Sequence, residues 1–425
     1  MIINEIKRMV NIVYVYSSRY IVKTVNTLKT KWLNSSKNQK LKYTDWLLNR
    51  NFTRSVDFVP LSNDSITIKN DMPKLIAFYL PQYYETEMNN TNFGKGFTEW
   101  FNVSKAIPQY TGHNQPQLPI DVGFYNLTHT DVMYRQIELA KQYGIHGFCF
   151  YYYWFSGERQ LEKPVDNFLN DKNLDMPFCF MWANAPWSRE WGDGNIKQIL
   201  IKQEILPEYD EAFANDLIKY FKDNRYIKIN NKPVLIIFRV KAVETQRMRG
   251  LIDKIQEVAV HNGFDGVYVL GTSAGYFNGG AEELGIEGVV EFGHQAQPMS
   301  KELFDFKDKF VNPNFKGTVI DVNKALSKNL HLITNNYKSF KCVFPGWDNS
   351  SRKAYNGCVV YHMKPEDYKH WLSDVIKWTK QHLSNGEQYI FVNAWNEWAE
   401  GAHLEPDQHY GYAYLQATKE ALEES

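Results

Sequence analysis

No stretch of the 425-residue chain holds the roughly 18 to 20 consecutive apolar residues that a membrane-spanning helix needs. The nearest, MVNIVYVYSS between Arg8 and Arg19, is too short. With Glu5 in its basic leader and no small-x-small cleavage site after it, it does not read as an export signal either. Cysteine is scarce. Cys149, Cys179, Cys342 and Cys358 show no paired metal-ligand spacing, and the first three sit in apolar, strand-like runs where small buried thiols are the rule. These absences predict a reducing, cytoplasmic setting. No glycine-rich phosphate loop follows the first apolar run, which argues against a dinucleotide-binding doubly wound sheet. Net charge is absent overall but unevenly so: residues 1–50 hold ten Lys or Arg against Glu5 and Asp45, leaving the remainder acidic. An acidic body disfavours nucleic acid as a partner.

Aromatic residues are plentiful, at 15% of the chain with 12 Trp and 27 Tyr. Flat rings with polar tips fill cores, and they also suit the faces of sugars. The length accommodates one large domain with an appendage. Residues 1–72 read as that appendage, basic with interspersed apolar residues and ending in LSNDSITIKND. Such a segment either lies on an anionic membrane surface, through residues 1–50, or caps the main domain with helices.

From residue 73 onward the pattern changes. Eight short apolar or aromatic runs recur, at 74–84, 144–155, 176–184, 232–240, 265–273, 288–292, 341–349 and 388–398. They alternate with amphipathic segments such as HTDVMYRQIELAKQYG and EAFANDLIKYFKDN. Near-continuous apolar strands between helices predict a parallel sheet covered on both faces, and eight such units predict an α/β fold of the (β/α)8 TIM-like barrel type over residues 73–425. The functional site of such a barrel lies at the carboxyl ends of its strands. Those ends collect Gln82, Tyr83, Tyr152, Trp154, Trp182, Asn184, Arg239, Thr272, Glu291, Trp347, Asp348, Asn393, Trp395, Asn396 and Glu397, a set of rings, amides and acids suited to a carbohydrate cleft.

Reaction at an anomeric carbon needs two carboxyl groups, one to protonate the leaving oxygen and one to act as base or nucleophile. Glu397, closing the eighth run, and Glu400, in the turn after it, are the candidates, with Trp395 and Trp398 placed to exclude water and raise a carboxyl's pKa. Glu405 either closes the site or starts a helix. Glu99, in KGFTEW, either reaches the cleft from a long loop or stays at the surface. His403 and His294 lie in no metal-ligand spacing and are assigned to hydrogen bonding, so no metal or other cofactor is expected.

The stretches AFYLPQYY, GKGFTEWFNVSKA, GHNQPQLPIDVGFYNL, YGIHGFCFYYYWFSGERQLEKP, FPGWDNS and NAWNEWAEGAHLEPD together resemble the WbsX-like family of bacterial O-antigen and capsular polysaccharide loci, predicted glycosyltransferases. The resemblance spans about residues 74–415. The last stretch is also similar to the N-E-W-x-E-G segment of glycoside hydrolase family 99, retaining endo-α-mannosidases built on a (β/α)8 barrel. This second resemblance implies that Glu397 takes a proton from the sugar's 2-hydroxyl to form a 1,2-anhydro intermediate. It implies that Glu400 protonates the departing oxygen and later activates the acceptor. It further implies that Tyr152, Trp154, Trp182, Asn184, Trp347 and Asp348 line the sugar site. One departure stands out: the family's N-E-N-W after the third strand is here NAPW, with Ala185 in place of the acid.

Three readings follow. The first is a cytoplasmic glycosyltransferase of surface-polysaccharide assembly, held at the inner membrane by residues 1–50 near a lipid-linked acceptor. The second is a hydrolase of α-linked mannose-like sugars. The third, drawn from Ala185 and the aromatic richness, is a carbohydrate-binding protein without catalysis. No Asp-x-Asp occurs in the chain, which argues against a conventional metal-dependent nucleotide-sugar transferase.

Overall fold

The computed structural model describes residues 37–50, 54–189, 198–274, 279–293, 298–361 and 363–425. The chain divides into two compact units. The smaller takes the amino-terminal segment through Phe52 with Pro108–His113 and Asp305–Phe315. Within it residues 37–49 are helical, and the Tyr43 hydroxyl donates to the Pro108 carbonyl. Thr111 N donates to Phe310 O at 2.9 Å, tying the two loop segments together. No described helix is long and apolar enough to cross a membrane. Most of the basic 1–50 segment, residues 1–36, lies outside the described residues, as does His294.

The larger unit is the barrel. Its parallel strands are β1 (Lys74–Tyr79), β2 (Ile145–Phe155), β3 (Phe178–Trp182), β4 (Lys232–Ile237), β5 (Tyr268–Thr272), β6 (Gly288–Val290), β7 (Ser339–Phe340 and Cys342–Val343) and β8 (Tyr389–Val392). The two halves of β7 serve different neighbours: Phe340 pairs with Val290 of β6, and Val343 with Val392 of β8. Counted as one strand broken at Lys341, β7 closes the sheet into an eight-stranded barrel. Each of the eight runs expected from the sequence supplies one strand. A two-stranded parallel accessory sheet, Thr318–Asp321 with Cys358–Tyr361, has no counterpart in the sequence reading. Residues 54–72, grouped there with the appendage, belong to the barrel unit: Ile66 N donates to Gln142 O at 2.9 Å and Tyr412 N to Val59 O at 2.8 Å.

Side chains alternate between the barrel interior and the helical layer along each strand. Phe78, Tyr151, Phe238 and Phe292 come from strands or strand ends on different sides of the barrel. They meet in one cluster, with Phe78–Phe292 ring centroids 5.0 Å apart and Phe238–Phe292 5.4 Å apart, so all four point inward. Deeper in, Ile76, Cys179, Val234, Leu270, Phe340 and Phe391 surround one small apolar gap; the interior is packed, not a pore. The opposite parity packs outward on the helices. Helix α1 (Asp210–Phe221) buries Phe213, Leu217, Tyr220 and Phe221, an i, i+4, i+7, i+8 stripe. Against it lie Trp154 and Trp182, with centroids 4.9 and 4.5 Å from Phe213. Each such ring removed from water contributes about 1.5–3 kcal/mol.

Candidate active site

After β8 the chain forms a tight hairpin in which Asn396–Glu397 pairs antiparallel with Ala402–His403, around a short helical turn Trp398–Glu400. Each residue of NEWAEG has a local physical role. Asn396 is fully buried and bridges to β1: its Oδ1 accepts from Leu80 N at 2.7 Å, and its Nδ2 donates to Leu80 O at 3.0 Å. The Tyr83 hydroxyl donates to Asn396 O at 2.5 Å and accepts from Trp398 N at 3.2 Å, fixing the turn from below. Trp398 stacks on His403 with centroids 3.7 Å apart, and its Nε1 donates to Glu405 at 2.7 Å. Ala399 offers its carbonyl to the Ser351 hydroxyl. Gly401 has φ +57°, and a Cβ there would stand 2.9 Å from Asp348 Cβ, so only glycine lets the two loops approach.

This hairpin carries Glu397 and Glu400 to a guanidinium that sequence reasoning did not single out. Arg352, in a helical turn at Ser350–Lys353, donates from Nε to Glu99 at 2.7 Å and from Nη1 to Glu400 at 2.6 Å, and its Nη2 lies 3.4 Å from Glu397. Glu99, for which a cleft and a surface position stood open, is fully buried at the first residue of the short helix Glu99–Ser104. Three carboxyl groups thus share one arginine. Burial disfavours the arginine's charge, but Glu99, Glu400 and Glu397 outweigh it and hold the guanidinium well above its usual pKa. The carboxyls respond oppositely. Burial, reinforced by the charge of Glu400, pushes Glu397 up to about 8, and burial raises Glu400 against the pull of Arg352. With the Glu400 side chain 14% exposed and that of Glu397 5%, the pair sits at the edge of solvent with a proton to share. Burial, reinforced by the charge of Glu397, raises the phenols of Tyr151 and Tyr153.

Strand parity corrects several expected site residues. Tyr152 and Trp154 alternate with Tyr151 and Tyr153, so they face the helices: the Tyr152 hydroxyl bonds Asp216 on α1, and Trp154 packs on Phe213. Trp182 is likewise buried on α1, its Nε1 donating to Trp154 O at 3.1 Å. Glu291 points out of the barrel to Lys341 Nζ at 2.8 Å and Asn335 Nδ2 at 3.1 Å. Trp395 is fully buried against Phe148, with centroids 5.3 Å apart.

Other expected residues support the site from behind. Glu405 accepts from Tyr125 at 2.8 Å, Gln136 at 2.6 Å and Trp398; burial raises it to about 7 despite these donors. Asp348 accepts from Gln115 and from Ser350 N, and its own N donates to Glu400 O at 2.6 Å. Trp347 is buried beside it. Tyr83 and Asn396 hold the turn as described. His403 hydrogen-bonds Glu405 O and Gln117, matching the hydrogen-bonding assignment, and burial lowers it to about 4.

Asn184 and Arg239 lie elsewhere on the barrel mouth. The Asn184 amide bonds the Arg239 backbone at both ends, Nδ2 to O at 2.9 Å and Oδ1 from N at 2.7 Å. Both residues line a cleft of about 430 Å³ at the ends of β3, β4 and β5.

The chain matches the glycosyltransferase WbsX family over residues 75–418. The uncharacterized protein WxcX of Xanthomonas campestris pv. campestris is 36% identical over 366 residues, 84% of this chain and 51% of that protein. Its counterpart in strain B100 is 37% identical over 355 residues, 82% and 49% of the two chains. This chain therefore spans about half the length of the curated relatives it matches. Among solved structures, a glycoside hydrolase-like protein superposes with a TM-score of 0.54 at 13% identity, covering 85% of this chain and 97% of the other. The GH99 endo-alpha-mannosidase from Bacteroides thetaiotaomicron gives 0.50 at 14% identity, covering 84% and 98%. At these identities the likeness is one of fold. The family match covers most of the barrel, and the chain belongs to the WbsX glycosyltransferase family.

Proposed function

We propose that the protein is a carbohydrate-active enzyme that transfers a sugar by a retaining, two-glutamate route in the assembly of a bacterial surface polysaccharide. The observation that carries the enzyme reading is the Glu397–Glu400 pair, buried at the carboxyl end of a barrel strand, sharing one guanidinium with Glu99. Membership of a family described as glycosyltransferases supports transfer as the outcome. In this reading the sugar's 2-hydroxyl gives its proton to Glu397 as its oxygen attacks the anomeric carbon, while Glu400 gives a proton to the departing oxygen. The acceptor hydroxyl then loses its proton to Glu400 and opens the anhydro ring, and Glu397 returns its proton to the 2-hydroxyl. Burial raises both carboxyls, and this sequence requires the proton that the pair holds to move to Glu400 as the sugar binds. The coupling of the two carboxyls across one arginine is the arrangement that permits such a shift.

The acceptor in this proposal is a lipid-linked glycan, and the protein works in the cytoplasm with residues 1–50 at the anionic inner membrane surface. The test is ligand-observed NMR of the purified protein with nucleotide sugars and α-mannosyl oligosaccharides, in wild type and Glu397→Gln. Nucleotide-dependent transfer that Glu397→Gln abolishes supports the proposal. Nucleotide-independent cleavage of the oligosaccharide makes the protein a hydrolase, and binding without turnover in either protein makes it a binding module.

A further inference from the structure

The barrel mouth is electrically divided. Carboxylates gather on the β8, β1 and β7 side, where Glu397, Glu99 and Glu400 share Arg352. The cleft of about 430 Å³ lies at the ends of β3, β4 and β5, which an eight-stranded barrel places across the mouth from β8 and β1. Its described lining includes Arg239 and Lys241, the amide residues Asn184 and Gln203, and the backbone-satisfied Thr272, with no aspartate or glutamate. Arg239 is exposed, its guanidinium 5.7 Å from the centroid of the Phe238 ring, and it makes no ion pair with a carboxylate among the described residues. Its backbone is clamped at both ends by the Asn184 amide, so the side chain projects from a fixed base. Ala185, next to Asn184, brings no acid to the cleft wall. The Gln203 amide is buried with neither atom hydrogen-bonded, an uncompensated polar group in a wall that is otherwise satisfied.

We propose that this cleft binds the phosphoryl group of a substrate, held by Arg239 and Lys241, away from the carboxylates that handle the sugar. An arginine presents several donors to the oxygens of a phosphate, and a lysine adds a second point charge. Two cations match a group bearing two or more negative charges better than they match a single carboxylate. The volume falls within the range of sites that enclose a sizeable ligand, leaving room beyond a diphosphate. The one guanidinium among the clustered carboxyl groups is already shared three ways, which leaves a phosphoryl group little to gain there. A separate basic cleft across the mouth lets both ends of a phosphorylated substrate be accommodated. The inference rests on the proposed transfer reading for the identity of the substrate: in an acceptor glycan on a prenyl diphosphate the phosphoryl group lies a sugar or more from the reacting hydroxyl, as the separation of cleft and carboxyl groups requires, whereas in a nucleotide-sugar donor it adjoins the bond that breaks.

Titration calorimetry at fixed ionic strength with sodium pyrophosphate, UDP, GDP and geranyl diphosphate tests the proposal in the full chain. Wild type is expected to bind pyrophosphate saturably, with affinity falling as salt rises, and Arg239→Gln to bind it at least tenfold more weakly. Lys241→Gln is a second variant and is expected to weaken binding by a smaller factor. Arg239 is exposed, so an unchanged melting temperature is expected in its variant and separates lost binding from lost fold. Tighter binding of geranyl diphosphate than of pyrophosphate identifies a lipid carrier and supports the cleft; UDP or GDP binding that Arg239→Gln weakens as far as it weakens pyrophosphate puts the breaking bond in the cleft and overturns its separation from the carboxyl groups. Absence of saturable binding by all four compounds, or equal affinity in Arg239→Gln, overturns the cleft assignment. If Glu397→Gln abolishes turnover while no phosphate compound binds, the cleft assignment alone has failed.

Discussion

For a single residue, the side of the strand that a ring faces decides whether it serves the site. Tyr151 and Tyr152 are chain neighbours of the same type, yet one feels the charge of Glu397 inside the barrel and the other bonds Asp216 in the helical layer. Tyr151→Phe is expected to lower turnover, with a shifted pH profile, because Glu397 loses a polar neighbour. Tyr152→Phe is expected to leave turnover unchanged and to lower stability by about 1 kcal/mol; initial rates and denaturant melts of both variants check this. Sequence reading chose Tyr152, Trp154 and Trp182, because rings at strand ends are visible in a sequence while the register that decides their direction is set by tertiary pairing. Glu397 and Glu400 were legible because one compact motif holds both. Arg352 was not: its partners Glu99 and Glu400 lie 253 and 48 residues away, and nothing in SSRK marks it locally. Arg352→Gln is expected to cost about 3–5 kcal/mol, as removal of one member of a buried charge cluster does. Arg352→Lys is expected to recover part of the stability and little of the activity, since one ammonium cannot replace a three-way fork.

At the scale of elements, the hairpin 396–403 is the device that delivers both glutamates, and two contacts set its position. Asn396 ties it to the end of β1, and Gly401 lets it lie against Asp348. Gly401→Ala is expected to destabilise the protein by about 1–2 kcal/mol from the left-handed backbone alone, with further cost from the 2.9 Å approach to Asp348 Cβ. A thermal melt reads the first effect, and a loss of turnover larger than the loss of folded protein reads the displacement of Glu400. The eight strands were legible because each is a dense apolar run between turn-forming residues. The accessory sheet was not, since its strands, Thr318–Asp321 and Cys358–Tyr361, are four residues each and lie outside the alternating pattern. From the sequence, Glu405 reads as closing the site or starting a helix. In the fold its carboxyl is occupied by Tyr125, Gln136 and Trp398, so it braces the indole behind the glutamates.

At the scale of the whole molecule, buried carboxyl groups link stability to pH. Glu397 is raised from its ordinary 4.5 to about 8, so the folded state holds a proton that the unfolded chain releases earlier. The corresponding stability is fully present below about pH 4.5 and is lost as pH rises through about 8. Wild type is therefore expected to lose melting temperature between about pH 5 and pH 8.5 by more than Glu397→Gln does, which scanning calorimetry across that range measures. The basic amino-terminal segment carries a separate proposal. Deletion of residues 1–50 is expected to move the protein from the membrane fraction to the soluble fraction, and an unchanged distribution would refute surface attachment. The deletion stops there because Val59 and Ile66 hydrogen-bond within the barrel unit.

Whether Glu397 and Glu400 react is measured by the initial rates of wild type, Glu397→Gln and Glu400→Gln on one turned-over sugar substrate, with binding of that substrate measured in parallel. Loss of an acid or base removes about a hundredfold to ten-thousandfold of the rate, so both variants are expected to fall by at least a hundredfold while still binding the substrate. Rates within a few fold of wild type in either variant would contradict the assignment of these two glutamates as the reacting pair.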